Sequence, residues 1–141
     1  MKYLLDTCAI SETIRSNPNL TFIEWLDSQD ENEIFLSGIT IGELYKGIFK
    51  LKDKERQKNL MYWLEEDLKL RFYRRILPIE DSIIYIWGKI CGENEKNGKK
   101  LPIIDSLIAA TAIAHKLTVV SRNTKDFEMC NLKVLNPWRS I

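Results

Sequence analysis

Histidine is almost absent from this sequence: His115 is the only one among 141 residues. That excludes chemistry needing two imidazoles, whether a paired acid and base or a multi-histidine zinc site. Cysteine is scarce too, and Cys8, Cys91 and Cys130 stand far apart with no CxxC pair. Neither a zinc cage nor a disulfide framework is indicated, and a reducing compartment is expected. Net charge is nearly nil, with 21 Lys and Arg against 20 Asp and Glu, which excludes a protein that grips nucleic acid through overall charge. No charge-free apolar run reaches the roughly eighteen residues of a membrane helix. The first apolar stretch, Tyr3-Leu4-Leu5, meets Asp6 at once, far short of a signal peptide's apolar region. A cytoplasmic location with no membrane partner is expected. Proline and glycine are few, four and six. No linker, repeat or low-complexity tract divides the chain, so residues 1–141 are expected to form one domain.

What remains is a chain 45% hydrophobic and rich in carboxylates. Lys2 to Leu5 reads as a short buried strand. Pro18 opens a helix with Phe22, Trp25 and Leu26 at helical spacing. A strand over Ile34 to Ile39 precedes a helix over Thr40 to Leu51, and a second helix follows through Leu60, Trp63, Leu64 and Leu68. Arg75 to Leu77 forms a short strand. Ile83, Ile84, Trp87 and Ile90 describe a helix running towards Asn97-Gly98. Ile103 to Lys116 is an apolar helix, Thr118 to Ser121 a strand, and Lys133 to Leu135 a last edge strand before Asn136-Pro137. Strands alternating with helices predict an α/β sandwich on a mostly parallel sheet, with ligands beyond the carboxyl ends of the strands.

Four acidic positions fall at strand ends or in first helical turns, and each has two readings. Asp6, after an apolar strand, either caps a helix or serves a site that pairs it with a cation or metal. Glu43, in Thr40-Ile41-Gly42-Glu43, completes a capping box or approaches a ligand beside Gly42. Asp105 either caps the small-residue helix it heads or is pressed by that helix towards Asp6. Asn123 and Asp126 cap a short helix through Glu128 or offer oxygen to a hard cation. On one edge of a parallel sheet these acids would repel and raise one another's pKa unless a divalent cation held them, and oxygen-only ligands suit Mg²⁺, or Mn²⁺, best.

Basic residues are concentrated in one segment. Residues 1–45 carry a net −6, residues 46–75 a net +5. That block could follow a phosphate backbone, or form a solvated face paired with the interleaved Asp53, Glu55, Glu65, Glu66 and Asp67.

Five segments together resemble the PIN-domain ribonucleases, specifically VapC-type toxins of the FitB-like branch. They are Leu4-Leu5-Asp6-Thr7, Ile39-Thr40-Ile41-Gly42-Glu43-Leu44, the run from Asp105 to Ala112, Ser121-Arg122-Asn123-Thr124-Lys125-Asp126-Phe127, and Asn136-Pro137-Trp138. The resemblance implies a PIN-like three-layer sandwich. It also implies a Mg²⁺-dependent endoribonuclease, with Asp6, Glu43 and Asp105 as metal ligands or organisers and a fourth position at Asp126 or Asn123. RNA would be hydrolysed by a metal-activated water, leaving a 5′-phosphate and a 3′-hydroxyl. Lys46, Lys50, Lys52 and Arg56 become candidates for RNA contact. A homodimer and a small antitoxin whose tail crosses the acidic cleft are implied as well. Two positions depart from the family pattern: Cys8 replaces the usual asparagine, which would loosen the Asp6 turn, and Ser121 replaces threonine but keeps the hydroxyl.

Three rivals stand beside this reading. A phosphatase with Asp6 as nucleophile lacks a second carboxylate at residue 8. A phospho-accepting signalling domain would be labelled by a small phosphodonor. A PIN-like interaction module with a degraded site would lack, or nearly lack, nuclease activity. Of the tryptophans, Trp25, Trp63 and Trp87 fit buried helix faces, whereas Trp138 is the interface candidate.

Overall fold

The computed structural model describes residues 1–139. Alternation of side chains along short apolar segments builds the sheet and assigns each residue to one of two cores. In β1 (Tyr3–Leu5) Leu4 points to one core and Leu5 to the other; in β4 (Thr118–Val120) Val119 and Val120 divide the same way. All four are fully buried, and each contributes about 1.5–3 kcal/mol by leaving water. β2 (Ile34–Ser37), β3 (Ile76–Leu77) and β5 (Val134–Leu135) complete a five-stranded sheet in the order β3-β2-β1-β4-β5. Every pairing in it is parallel, so the expected mostly parallel sheet is wholly parallel among the described residues.

Helices cover both faces. One side carries α1 (Thr7–Glu12), α2 (Leu20–Asp27), α3 (Gly38–Phe49) and α4 (Lys54–Tyr62), whose path widens through a π-type segment, Trp63–Leu68, into α5 (Lys69–Arg71). The other carries α6 (Asp81–Lys96), α7 (Ile103–His115) and α8 (Thr124–Glu128). Helix α6 ends as its Asn-Gly pair predicts: Gly98 has φ +75°, Lys99 N–H donates to the Asn94 carbonyl and Gly98 N–H to that of Glu95. Among the described residues no helix is long and apolar enough to cross a membrane.

Several boundaries differ from the sequence reading. α1 is signalled only by the capping reading of Asp6, because its six residues are too few to display a helical period. Pro18 does not open α2; Asn19 caps it by accepting from Phe22 N–H at 3.0 Å, and the helix starts at Leu20. Strand β2 stops at Ser37, and Ile39, expected in the strand, lies in the first turn of α3 because the Ser37 hydroxyl caps that helix, accepting from Ile39 N–H at 3.1 Å. Trp138 is partly buried. It stacks on the buried Phe22 at 4.4 Å and joins the core beside α1 and α2.

The strand order also places the crevice. From β1 the chain moves outward to β2 and β3, then returns to lay β4 and β5 on the other side of β1. Beyond the carboxyl ends of β1 and β4, where that direction reverses, loops diverge and leave room for a ligand.

Candidate active site

Asp6 follows the last residue of β1, where its backbone N–H still donates to the Val120 carbonyl of β4 at 3.1 Å. The capping reading holds. The side chain caps α1, accepting from Ala9 N–H at 2.8 Å, and is nearly buried at 5% exposure, at the head of the crevice. Burial pushes its carboxyl above the usual range, opposed by hydrogen bonds from Ser121, Ala9 and Cys8 and by the Arg122 charge. Cys8 does not loosen the turn: its Sγ donates to Asp6 Oδ1 at 3.2 Å. The thiol is itself pushed up to about 11 by burial and then by Asp6, so it remains protonated and keeps donating. Ser121, fully buried, supplies the hydroxyl expected of it.

Glu43 does not belong to a capping box. With Ser37 as the cap, Thr40 lies inside the helix and Glu43 falls in the second turn. Its Oε1 accepts instead from the Thr7 hydroxyl at 3.0 Å, across from α1, and Thr7 in turn lies 3.4 Å from the buried Thr40 hydroxyl. A Cβ added at Gly42 would meet nothing within 4 Å, so the surface beside Glu43 is open.

Asp105 does not cap its helix either. Pro102 occupies the cap position without a side-chain bond, and Asp105 sits in the first turn of α7. That turn is fixed by Ser106, which donates to the Ile103 carbonyl and accepts from Trp87 Nε1 at 2.9 Å. Small side chains bring the helix close, as expected: Ala109 and Ala112 are fully buried with Leu4 and Val119. The Asp105 carboxyl is pushed up to about 6 by burial first, then by the charges of Asp126 and Asp6, by its contact with the Asp126 carboxyl, and by Glu43. Asp6, Glu43 and Asp126, from three other segments, therefore all lie close enough to act on Asp105 beyond the ends of β1 and β4.

Asn123 and Asp126 differ in placement. Asn123 is exposed, its backbone N–H donates to the Ser121 hydroxyl at 2.9 Å, and its Nδ2 donates to Asp126 Oδ2 at 2.7 Å. Asn123 stands at the head of α8 without a capping side-chain bond. Asp126 is half-buried and faces Asp105. As the side chains stand, no three acidic, histidine or cysteine residues among those described are arranged to enclose a metal ion. The donor set is nonetheless all hard oxygen, with His115 exposed at the far end of α7.

Lys46 and Lys50 follow Glu43 by about one and two turns; Lys50 is the C-cap of α3 and Lys52 lies just beyond it. Arg56 lines a groove of about 250 Å³ together with Thr7, Glu43, Leu44 and Trp63. All four cations are exposed, and none is ion-paired among the described residues. The interleaved acids do not pair with the block as expected of a solvated face: Asp53 caps α4, and Glu65 accepts from the Tyr45 hydroxyl. Arg71 and Arg75, by contrast, are structural, binding Glu31 and the carbonyls of Glu31, Ile34 and Arg71. A more enclosed cavity of about 200 Å³, between Leu5, Ile10, Leu26 and Phe72, contains none of the four acids.

Sequence reasoning missed Glu12, a buried acid in α1, and Arg122, whose partners come from residues distant in sequence. Thr7 stood in a quoted segment without an assigned role.

Comparison with known proteins agrees with this geometry. The chain is 38% identical over 135 residues to Toxin FitB of Neisseria gonorrhoeae, covering 96% of this chain and 97% of that protein. It is 31% identical over 135 residues to VapC ribonuclease Y4jK of Sinorhizobium fredii, covering 96% of each. Its fold superposes on a chain of the crystal structure of FitAcB from N. gonorrhoeae with a TM-score of 0.93 at 37% identity, over 98% of this chain and 99% of that one. The family model for the PIN domain matches residues 3–130, and with Asp6 after β1 and the crevice acids of α3, α7 and α8 all inside that span, the chain belongs to the PIN domain family.

Proposed function

We propose that this chain is a Mg²⁺-dependent endoribonuclease and the toxin of a toxin–antitoxin pair, with residues 1–141 forming one cytoplasmic PIN domain. The observation that carries the reading is the raised carboxyl of Asp105, held up to about 6 by burial and by Asp126, Asp6 and Glu43. The geometry behind it is the convergence of Asp6, Glu43, Asp105 and Asp126 from four segments beyond the ends of β1 and β4, an all-oxygen set that suits a hard cation. Relatives named as a toxin and as a VapC ribonuclease support the same assignment.

Asp6, Glu43, Asp105 and Asp126 would hold the metal. When bound, Mg²⁺ neutralises phosphate charge and lowers the pKa of a water for attack on the phosphodiester. The protein's part is to fix the oxygens. Asp6 is locked by Ala9 N–H and the Cys8 thiol, Glu43 by the Thr7 hydroxyl, and Asp126 by the Asn123 amide. In this reading Asp126 would be the fourth ligand, with Asn123 positioning it through its amide. Lys46, Lys50, Lys52 and Arg56 lead RNA from the groove to the acids, their unpaired charges favouring a phosphate backbone.

The partners are RNA, a second copy of the chain and a small antitoxin. Without metal the acid cluster attracts a guanidinium, whose planar fork pairs with two carboxylate oxygens, so an antitoxin arginine fits the crevice. The test is incubation of purified, antitoxin-free protein with total RNA and Mg²⁺, followed by mapping of the cut ends. New 5′-phosphate and 3′-hydroxyl ends, lost in EDTA, are expected. Uncut RNA with an aspartate labelled by a small phosphodonor would instead identify a phospho-accepting domain, and neither result a binding module. Sedimentation as a monomer at micromolar concentration would refute the homodimer.

A further inference from the structure

Glu12 is 2% exposed, and a carboxylate so buried is costly unless it is well bonded. It accepts from Trp138 Nε1 at 2.9 Å and from Asn19 N–H at 3.1 Å, with Arg15 Nη1 at 3.5 Å and Arg122 Nη1 at 4.0 Å. Burial pushes its carboxyl up, but these bonds and charges outweigh burial and hold it below the ordinary range, so it is an anion near neutral pH. None of the acids assigned to metal uses it.

What it holds is a platform beneath Arg122. The Arg122 guanidinium lies over the Trp138 ring at 5.6 Å, and Trp138 stacks at 4.4 Å on the fully buried Phe22. Indole below, at 5.6 Å to the ring centroid, and carboxylate beside line one side of the guanidinium. The other is open, with the side chain 55% exposed. Arg122 directly follows Ser121, its charge reaches Asp6, and its backbone N–H faces the Cys8 sulfur. At 4.0 Å the Glu12 contact is too long to occupy a hydrogen-bond donor. A cation seated on Trp138, with free donors, thus stands at the rim of a carboxylate cluster that would otherwise repel a phosphodiester.

We propose that Arg122 contacts an RNA phosphate next to the scissile bond, and that Glu12 and Trp138 are positioning residues holding its guanidinium at the rim. The inference rests on the nuclease reading. A rigid guanidinium presents two parallel N–H groups to a phosphate, which a lysine ammonium cannot do.

The test measures RNA cleavage kinetics in Mg²⁺, together with the salt dependence of binding to a short single-stranded RNA, for wild type, Arg122→Ala, Arg122→Lys and Glu12→Gln. For Arg122→Ala, KM should rise about tenfold with kcat within threefold of wild type. The slope of log affinity against log salt should fall by about 0.7, the value for one single-strand phosphate contact. Arg122→Lys should restore the slope but only part of KM. Glu12→Gln, which keeps an acceptor for Trp138, should raise KM about threefold and leave the slope unchanged, because the cation is still present but less fixed. An unchanged slope in Arg122→Ala overturns the inference, whatever happens to kcat or melting temperature. Wild-type protein that fails to cut RNA overturns the nuclease reading instead, and the salt slope still decides the Arg122 contact.

Discussion

Replacing Asp105 by asparagine removes one of four carboxylates that resist sharing the space beyond β1 and β4, so in metal-free protein it should stabilise the fold. The carboxyl is raised from 3.8 to about 6, by burial and then by Asp126 and Asp6. A shift of about two units corresponds to roughly 3 kcal/mol. Asp105 is only half-buried, and solvent screening reduces that to about 1 kcal/mol. The sign follows from linkage: below the unfolded value both states are protonated and there is no penalty. Between about pH 4 and 6 the unfolded chain ionises while the folded one resists, and above the folded value the penalty is complete. Wild type and Asp105→Asn should therefore melt together in EDTA near pH 4. By pH 7.5 the variant should melt roughly 4 °C higher, given the size of the domain. Mg²⁺ should reverse the order, because a cation at about a hundred times its Kd stabilises the wild type by about 2.7 kcal/mol and the variant by much less. Calorimetry across that pH range, with and without Mg²⁺, checks both halves. A wild type that melts higher than the variant in EDTA at pH 7.5 would refute the clustered-acid account.

Other substitutions separate site from scaffold. Glu43→Gln retains an acceptor for Thr7 and should leave the melting temperature nearly unchanged while RNA cleavage falls about a hundredfold. Ser37→Ala removes the cap of α3 and should cost about 1 kcal/mol in a denaturant titration, with cleavage preserved. Asp126→Ala should lower cleavage more than Asn123→Ala, because a charged oxygen binds Mg²⁺ more strongly than the amide that orients it. Equal losses would show that both residues serve the metal alike.

The parts of the molecule legible in the sequence are those governed by local chemistry. The apolar run ending at Asp6 and the Asn97-Gly98 stop both appear where periodicity and backbone preference put them. So does the small-residue face of α7. The candidate acids were legible because strand ends in parallel sheets collect them. Which caps were real was less so. Thr40 and Glu43 have capping-box spacing, but Ser37 starts the helix three residues earlier and the pattern is coincidental. Glu12 and Trp138 are 126 residues apart, so their hydrogen bond, and the seat it makes for Arg122, depends on tertiary packing that no local pattern encodes. For the same reason Trp138, past the last strand, gave no sign that it turns back onto Phe22.

The central claim is tested most directly by one comparison of end-mapped RNA cleavage in Mg²⁺ by wild type and Asp6→Asn. Asparagine still caps α1 by accepting from Ala9 N–H, so the variant keeps its fold while the site loses a charge. The account predicts cleavage by wild type that EDTA abolishes, and none above background by the folded variant. Cleavage by Asp6→Asn at the wild-type rate would contradict it.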